Sequence, residues 1–478
     1  MFVMSDRVQF DFAGEGAGVD DLAWGQQEIW LAMTRQRSWI PIGGPSRLAP
    51  GTTLADVVDD LRYTLGRYQT MRTRLRFGDD GRVRQEVFAA GEFTIELYDA
   101  PDGADPGEFA DALFDWFRTW DYDYVEDWPV RVGVVRHRGA LTHQVTVATH
   151  LVTDALGGAI MMAEVTRREP APVAGTQPLE QVRRQRSPAG QRQNEAALRY
   201  WRRLLRTVPA RTVPASTDRC EPRYREGLLR SPALHLALRA IVARERVDPA
   251  TALLAVFAVA VGRVTGVDPV VIRPIVGNRF WPGLADVVCP VNQAGLCVVE
   301  VAGAAFPEVL ARVRRAALAT YKYAHFDPLR LAEVIAEVER ERGGPVDLSV
   351  LFNDRRTGDR SDLRIEAAGP GDGVAAAPTL ERMSAALART RLDWPVARDD
   401  PHEPLMVNVE DAVDAVLVRI VFDTHHVAPA TAEAFVRGMQ AVAVAAALAR
   451  PGPAGEPAGR SGAGRVPARS AAGARGGG

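Results

Sequence analysis

The residues of this 478-residue chain best suited to proton transfer lie in VATHLVTDALGGAIMM (147–162), where His150 stands four positions before Asp154 and the glycine pair Gly157 and Gly158 follows. A neutral imidazole serves as a general base near pH 7, and a strand end that opens into a loop exposes one of its ring nitrogens to a substrate. At that spacing Asp154 has two roles open to it. It can accept from the histidine as the orienter of a base, or it can fix the turn through a cap or a structural ion pair. The two glycines permit close backbone approach to a ligand, or simply tight packing of the loop and helix. His425 and His426 in DTHHVAP (423–429) bring no carboxylate or third ligand at a familiar metal spacing. No P-loop, dinucleotide-binding glycine fingerprint or G-x-S-x-G elbow is present, which argues against nucleotide-driven and serine-hydrolase chemistry.

Composition bounds the partners. The 58 Lys and Arg nearly balance 60 Asp and Glu, and the net charge of -2 provides no general field for nucleic acid or an anionic membrane. Hydrophobic residues make up 47% of the chain, enough for a large globular core. The longest apolar run, ALLAVFAVAVG (252–262), is too short to span a bilayer, and the N-terminus shows no secretion signal, so a cytoplasmic protein is expected. Cys220, Cys289 and Cys297 form no C-x-x-C pair and are expected to be reduced and buried. Trp24, Trp30, Trp116, Trp120 and Trp128 are read as core anchors.

Periodicity supplies the elements that must position His150. Leu22, Gln26, Ile29, Trp30 and Met33 mark a first amphipathic helix, and Leu54, Val57, Val58, Leu61 and Leu65 a second. TRLRFGDDGRVRQEV reads as a hairpin, GEFADALFDWFRTW as a helix, and VRVGVVRHRGALTHQVTVATH as two strands, the second ending at His150. The division expected is an N-terminal lobe over 1–167, a Pro-, Gln- and Arg-rich linker over 168–193, a C-terminal lobe over 194–450 and a disordered Gly/Ala/Pro/Arg tail over 451–478. The basic run RRQRSPAGQRQ (183–193) belongs to that linker and is read as solvated. In the second half, DPATALLAVFAVAVGRVTG forms a helix opened by Asp248 and Pro249, followed by strands in DPVVIRPIVG and QAGLCVVEVAG and a helix from FPEVLARV onward. Two mixed α/β halves result.

Several of these segments together resemble the condensation domains of nonribosomal peptide synthetases, members of the chloramphenicol acetyltransferase-like superfamily. LAWGQQEIWLAM resembles the family's opening helix, RYQTMRTRL its R-H-E-x-L-R-T segment, and THLVTDALGG its H-H-x-x-x-D-G motif. LRYWRRLL, the run from PATALLAVF to VGNR, CPVNQAGLCVV, LSVLFND and VRIVFDTHHVAPATAEAFVRGM then follow in the family's order, so that the likeness spans about residues 20 to 447. It implies two α/β lobes forming a V around a tunnel, with His150 near its centre as the histidine that acts on the nucleophile. It also implies Asp154 as the structural motif aspartate, Arg279 as its ion-pair partner and Asn292 as a support beside the lobe interface. This sequence departs from the family at Tyr68, at Thr149 in place of the first motif histidine, and at Ala155 in place of the motif glycine.

The activity implied is amide or ester formation between an acyl group held as a thioester on a carrier protein and an amine or hydroxyl nucleophile. The chain needs no metal or redox cofactor of its own for that reaction; the phosphopantetheine arm arrives on an acyl or peptidyl carrier protein expected to be a separate partner. The altered motif leaves a second reading, a noncatalytic condensation-like protein that recruits a carrier or another biosynthetic enzyme.

Overall fold

The computed structural model describes residues 2–356 and 378–449. Its first part runs β1 (Asp6–Ala13), β2 (Gly18–Asp21), α1 (Trp24–Gln36), β3 (Pro41–Arg47), α2 (Leu54–Arg67), β4 (Thr73–Phe77), β5 (Val83–Val87), β6 (Ala90–Asp99), α3 (Pro106–Phe117), β7 (Val130–His137), β8 (Ala140–Thr149) and α4 (Ala155–Arg167). Next come α5 (Pro178–Arg186) and α6 (Pro188–Leu205). The remainder runs β9 (Tyr224–Ser231), α7 (Pro232–Glu245), α8 (Pro249–Thr265), β10 (Val270–Val276), β11 (Gln293–Ala294), β12 (Cys297–Val299), α9 (Phe306–Lys322), α10 (Pro328–Arg342), β13 (Val350–Asp354), α11 (Leu380–Ala388), β14 (Arg391–Arg398), β15 (Leu405–Ala412), β16 (Ala415–Asp423) and α12 (Pro429–Leu448).

A five-stranded sheet, β1-β6-β7-β8-β3, is built from the N-terminal half, and a larger sheet, β11-β10-β13-β15-β16-β9-β14 with β12 beside β10, from the C-terminal half. The period-2 alternation of the larger sheet sorts its residues sharply. One face, with Ile272, Phe352, Val407, Val418 and Ile420, packs on α7, α8 and α12 in the largest core. The opposite face carries Asn353, Asn408 and Arg419 in one row across β13, β15 and β16, and, two residues along, Arg273 of β10 opposite Leu351 and Glu226 of β9 opposite Val421. Helix α8 is buried over nearly its whole length, which explains why its apolar residues run continuously. Its start is as expected: Asp248 caps it by accepting from Thr251 N–H at 2.8 Å, with Pro249 at the first helical position.

Helix α1 is buried on two sides. Ile29 and Met33 enter the N-terminal core, while Gly25, Glu28, Arg35 and Gln36 face C-terminal residues. The loop between β10 and β11 returns the contact. Val288 enters the core built on β1, β6 and β7, and its carbonyl accepts from Thr70 Oγ1 at 3.2 Å.

Some expectations need correction. The segment 168–193 connects the two halves but is largely helical, in α5 and the start of α6, with Leu179 and Val182 buried; the arginines of its basic run, Arg183, Arg184, Arg186 and Arg192, are exposed as expected, and Arg186 pairs with Asp20 at 2.6 Å and Asp21 at 2.5 Å. Cys289 and Cys297 are buried thiols as expected, whereas Cys220 is half-buried. Trp24 is a core residue, but Trp116 is 36% exposed and borders the core. Among the described residues no single helix is long and apolar enough to cross a membrane. The tail expected to be disordered lies outside the described residues.

Candidate functional site

His150 follows immediately on the last residue of β8, in the turn that leads to α4. The strand is held on both flanks there: Pro41 of β3 pairs with Thr149, and Thr149 N–H donates to the Pro129 carbonyl at 2.9 Å. Thr149 itself is 1% exposed, and its hydroxyl donates to the Trp39 carbonyl at 3.3 Å, so the residue standing in place of a histidine is used as a buried tie. The His150 ring is half-buried. Its Nδ1 is shielded from solvent without a hydrogen-bond partner of good geometry. Burial pushes its pKa below the ordinary 6.5; the backbone at His150 and Thr153 and the Asp154 carboxylate favour the proton, and Arg355 opposes it. An imidazole kept neutral in this way can accept a proton at pH 7.

Asp154 takes the structural role. It caps α4 by accepting from Gly157 N–H at 2.8 Å through Oδ1, and the same oxygen accepts from Arg279. Both side chains are nearly buried, at 12% and 11% exposure. The pairing of Asp154 with Arg279 is therefore present, but not as a two-pronged fork: the other terminal nitrogen of Arg279 donates to the Val287 carbonyl at 2.7 Å. Thus Arg279 ties the start of α4 to the loop after β10. Gly157 is needed for this packing, since a Cβ would lie 2.5 Å from Thr153 Oγ1 and 3.1 Å from an Arg279 nitrogen. Gly158 has no such constraint, its nearest neighbour being Thr153 Cγ2 at 3.7 Å. Ala155, the first residue of α4, is exposed and makes no demand for positive φ.

The far half of α4 is fastened within the N-terminal half. Glu164 accepts from Arg67 at 2.6 Å and from the Tyr68 hydroxyl, and burial raises the pKa of that phenol. Tyr68 thus has its own structural use where the family segment has histidine. Asn292 sits beside β11 with its Oδ1 buried and without a partner. Its neighbourhood is organised by two residues that sequence reading passed over. Asn278, at φ 54°, donates through Nδ2 to the carbonyls of Val291 and Ala324, each at 2.9 Å, and Gln293 Nε2 donates to the Phe326 carbonyl at 2.9 Å. A Gly-Asn pair closing a strand is a signal for the left-handed turn that Asn278 adopts. His425 and His426 remain apart from this site in the turn after β16, and among the described residues no group of three or more His, Cys, Asp or Glu is set to hold a metal.

The condensation-domain family profile matches residues 52–368. No curated protein matches the sequence. Among solved structures the chain is similar to that reported as the molecular basis for condensation domain-mediated chain release from the enacyloxin polyketide synthase, with TM-score 0.65 and 18% identity over 95% of this chain and 85% of the other. It is also similar to the SgcC5 protein from Streptomyces globisporus (TM-score 0.63, 16% identity, 90% and 98% covered). The X-domain from teicoplanin biosynthesis gives TM-score 0.65 at 18% identity, with 90% and 96% covered. At these identities the solved structures establish the fold, the chloramphenicol acetyltransferase-like one, and the profile match over the greater part of the chain establishes the family: the chain belongs to the condensation-domain family.

Proposed function

We propose that the chain is an acyltransferase that joins a carrier-bound acyl or aminoacyl thioester to an amine or hydroxyl nucleophile, with His150 as the general base. The observation that carries this reading is the placement of the imidazole: half-buried at the end of a strand tied on both flanks, with an Nδ1 that has no partner among the described residues, where burial favours its neutral form. In the step proposed, the nucleophile's nitrogen or oxygen bonds to the thioester carbonyl carbon, its proton passes to His150, and the carrier's pantetheine sulfur leaves and takes a proton. Alignment of the two reactants supplies much of the acceleration, and a well-placed base a further ~10²–10⁴-fold. Asp154, Arg279, Gly157 and Thr149 hold the turn and do not touch the reactants; Asn292, with its unpartnered oxygen, supports the adjoining loop. The pantetheine arm comes with the carrier protein, a separate partner.

The departures from the family motif do not oppose this reading: Thr149 is a buried tie to the Trp39 carbonyl, and Ala155 is exposed at the start of α4. The test is intact-protein mass spectrometry of acyl-loaded carriers incubated with the protein and a panel of amines. Loss of the acyl mass with appearance of amide is expected, and His150→Ala should slow it by ~10²–10⁴-fold while carrier binding persists. Carrier capture without transfer for any nucleophile would assign the chain to recruitment instead.

A further inference from the structure

Helix α6 divides its charged residues between two sides. Toward α10 they are neutralised within the chain: Arg202 pairs with Glu337, Arg206 with Glu341 at 2.8 Å, and Glu195 lies 3.9 Å from Arg330. On the outer side Arg192, Arg199 and Arg203 recur at i, i+7 and i+11, all exposed, and none of them is ion-paired among the described residues. Arg199 and Arg203 are moreover like charges four residues apart, which weakens the helix that carries them.

Helix α9 continues this surface. Gln193 Nε2 donates to the Lys322 carbonyl at 3.1 Å, and the Tyr200 and Tyr323 rings stack with centroids 4.8 Å apart, so the two helices lie against each other. Arg203 sits over the Tyr200 ring at 5.6 Å and Lys322 over the Tyr323 ring at 5.2 Å. The outer face of α9 carries Ala311, Arg315, Leu318 and Lys322 at i, i+4, i+7 and i+11, with no acid in the row and Leu318 66% exposed. The acid at the start of this helix, Glu308, is taken by Arg312 at 2.5 Å. The result is a group of unneutralised cations on two adjoining helices, with an aromatic stack and one exposed leucine among them.

Such a surface suits an acidic protein face. A membrane calls for more apolar area than a single leucine, and a chain of net charge -2 lacks the general field for nucleic acid. The end of α9 also leads inward: two residues past Lys322 the Ala324 carbonyl accepts from Asn278 Nδ2 at 2.9 Å, and Asn278 precedes Arg279, which holds Asp154. A partner seated here rests on the helix whose continuation is bonded to that loop.

We propose that this face of α6 and α9 is a docking surface for an acidic helix of the acyl carrier protein, Arg192, Arg199, Arg203, Arg315 and Lys322 meeting its carboxylates and Leu318 an apolar side chain between them. Cations at such a surface steer association and set the choice of partner. The proposal rests on the reading of the chain as one that acts on carriers and is independent of the role of His150.

The test is calorimetry with the carrier proteins of the transfer assay, in their holo form, over a series of NaCl concentrations. At least one carrier should bind the wild-type protein, more weakly as salt rises. Arg199→Glu combined with Lys322→Glu should weaken that carrier by ~10-fold or more. Arg47→Glu combined with Arg82→Glu, the same change of charge at exposed arginines of the N-terminal half, should leave it close to wild type. Reversing an acidic residue of the carrier's helix to Lys should restore binding to the first variant. Equal weakening by the two double variants, binding indifferent to both, or a wild-type protein that binds no carrier would overturn the proposal. So would RNA or phosphatidylserine vesicles that bind through the same residues more tightly than any carrier. Thermal melts report whether the variants fold; should the Glu pair fail, Arg199→Gln with Lys322→Gln removes the charges without reversing them and must still weaken the carrier. Carrier binding through this surface without transfer would reject the acyltransferase reading and leave the surface standing, whereas binding and transfer both unchanged by the reversal would reject the surface and leave His150 standing.

Discussion

Two of the ion pairs that join the halves of this molecule are built differently. At the start of α4, Asp154 and Arg279 are in direct contact, the aspartate also accepts from Gly157 N–H, and the arginine spends its other terminal nitrogen on the Val287 carbonyl. Between α1 and β10, Glu28 and Arg273 stand 3.6 Å apart and Arg273 Nε has no partner. The first pair has almost no capacity left for a ligand and fixes backbone. The second is longer and looser, with the Arg273 guanidinium also lying over the Trp201 ring.

The largest effect on stability is expected at the closed pair. Arg279→Gln leaves the Asp154 carboxylate nearly buried without its cation, a loss of about 3 kcal/mol or more, read as a lower denaturation midpoint together with lower transfer activity. The same substitution type at Arg273 should leave the midpoint much nearer to wild type, which sharpens the contrast between the two pairs. Gly157→Ala comes next: its Cβ would press on Thr153 Oγ1 and the Arg279 side chain, for a cost of about 1–3 kcal/mol measurable by denaturant titration. Ala155→Gly, which restores the family's glycine, should do least. The residue is exposed at the first position of α4, so stability should change by less than about 1 kcal/mol and transfer rates should stay of the same order.

Legibility from sequence divides along the same line. The turn carrying His150 and its capping aspartate could be placed from local signatures, an apolar strand, a polar turn and a glycine-containing helix start, whereas Arg279 followed only from the family resemblance. The long helix α8 and its Asp248 and Pro249 start were equally readable. Glu28 and Arg273 carried no signal, because each is one charged residue inside a segment read for its apolar period, and only pairing of β10 with β13 and the seating of α1 bring them together. The helices of the connector carried little signal for a related reason. Its few apolar residues, Leu179 and Val182, are buried where Arg186 pairs with Asp20 and Asp21 of β2, far away in sequence, while its other arginines stay on the surface. Tyr68 counted only as a departure from a motif until Glu164 supplied its partner.

The protonation of His150 links the site to the fold. Because burial lowers its folded pKa below 6.5, the unfolded chain takes up a proton first as pH falls, and the stability contributed by the neutral buried ring is complete above 6.5 and lost progressively below it. The same shift keeps the base available in mildly acidic solution.

The most direct test of the central claim is the pH dependence of single-turnover acyl transfer from a loaded carrier, measured for the wild-type protein and for His150→Ala under conditions where both remain folded. The account predicts a wild-type rate that falls on an acidic limb centred below pH 6.5, and a variant reduced by ~10²–10⁴-fold that lacks this limb. Equal rates with the same limb in both proteins would show that the proton is accepted elsewhere and that His150 is not the base.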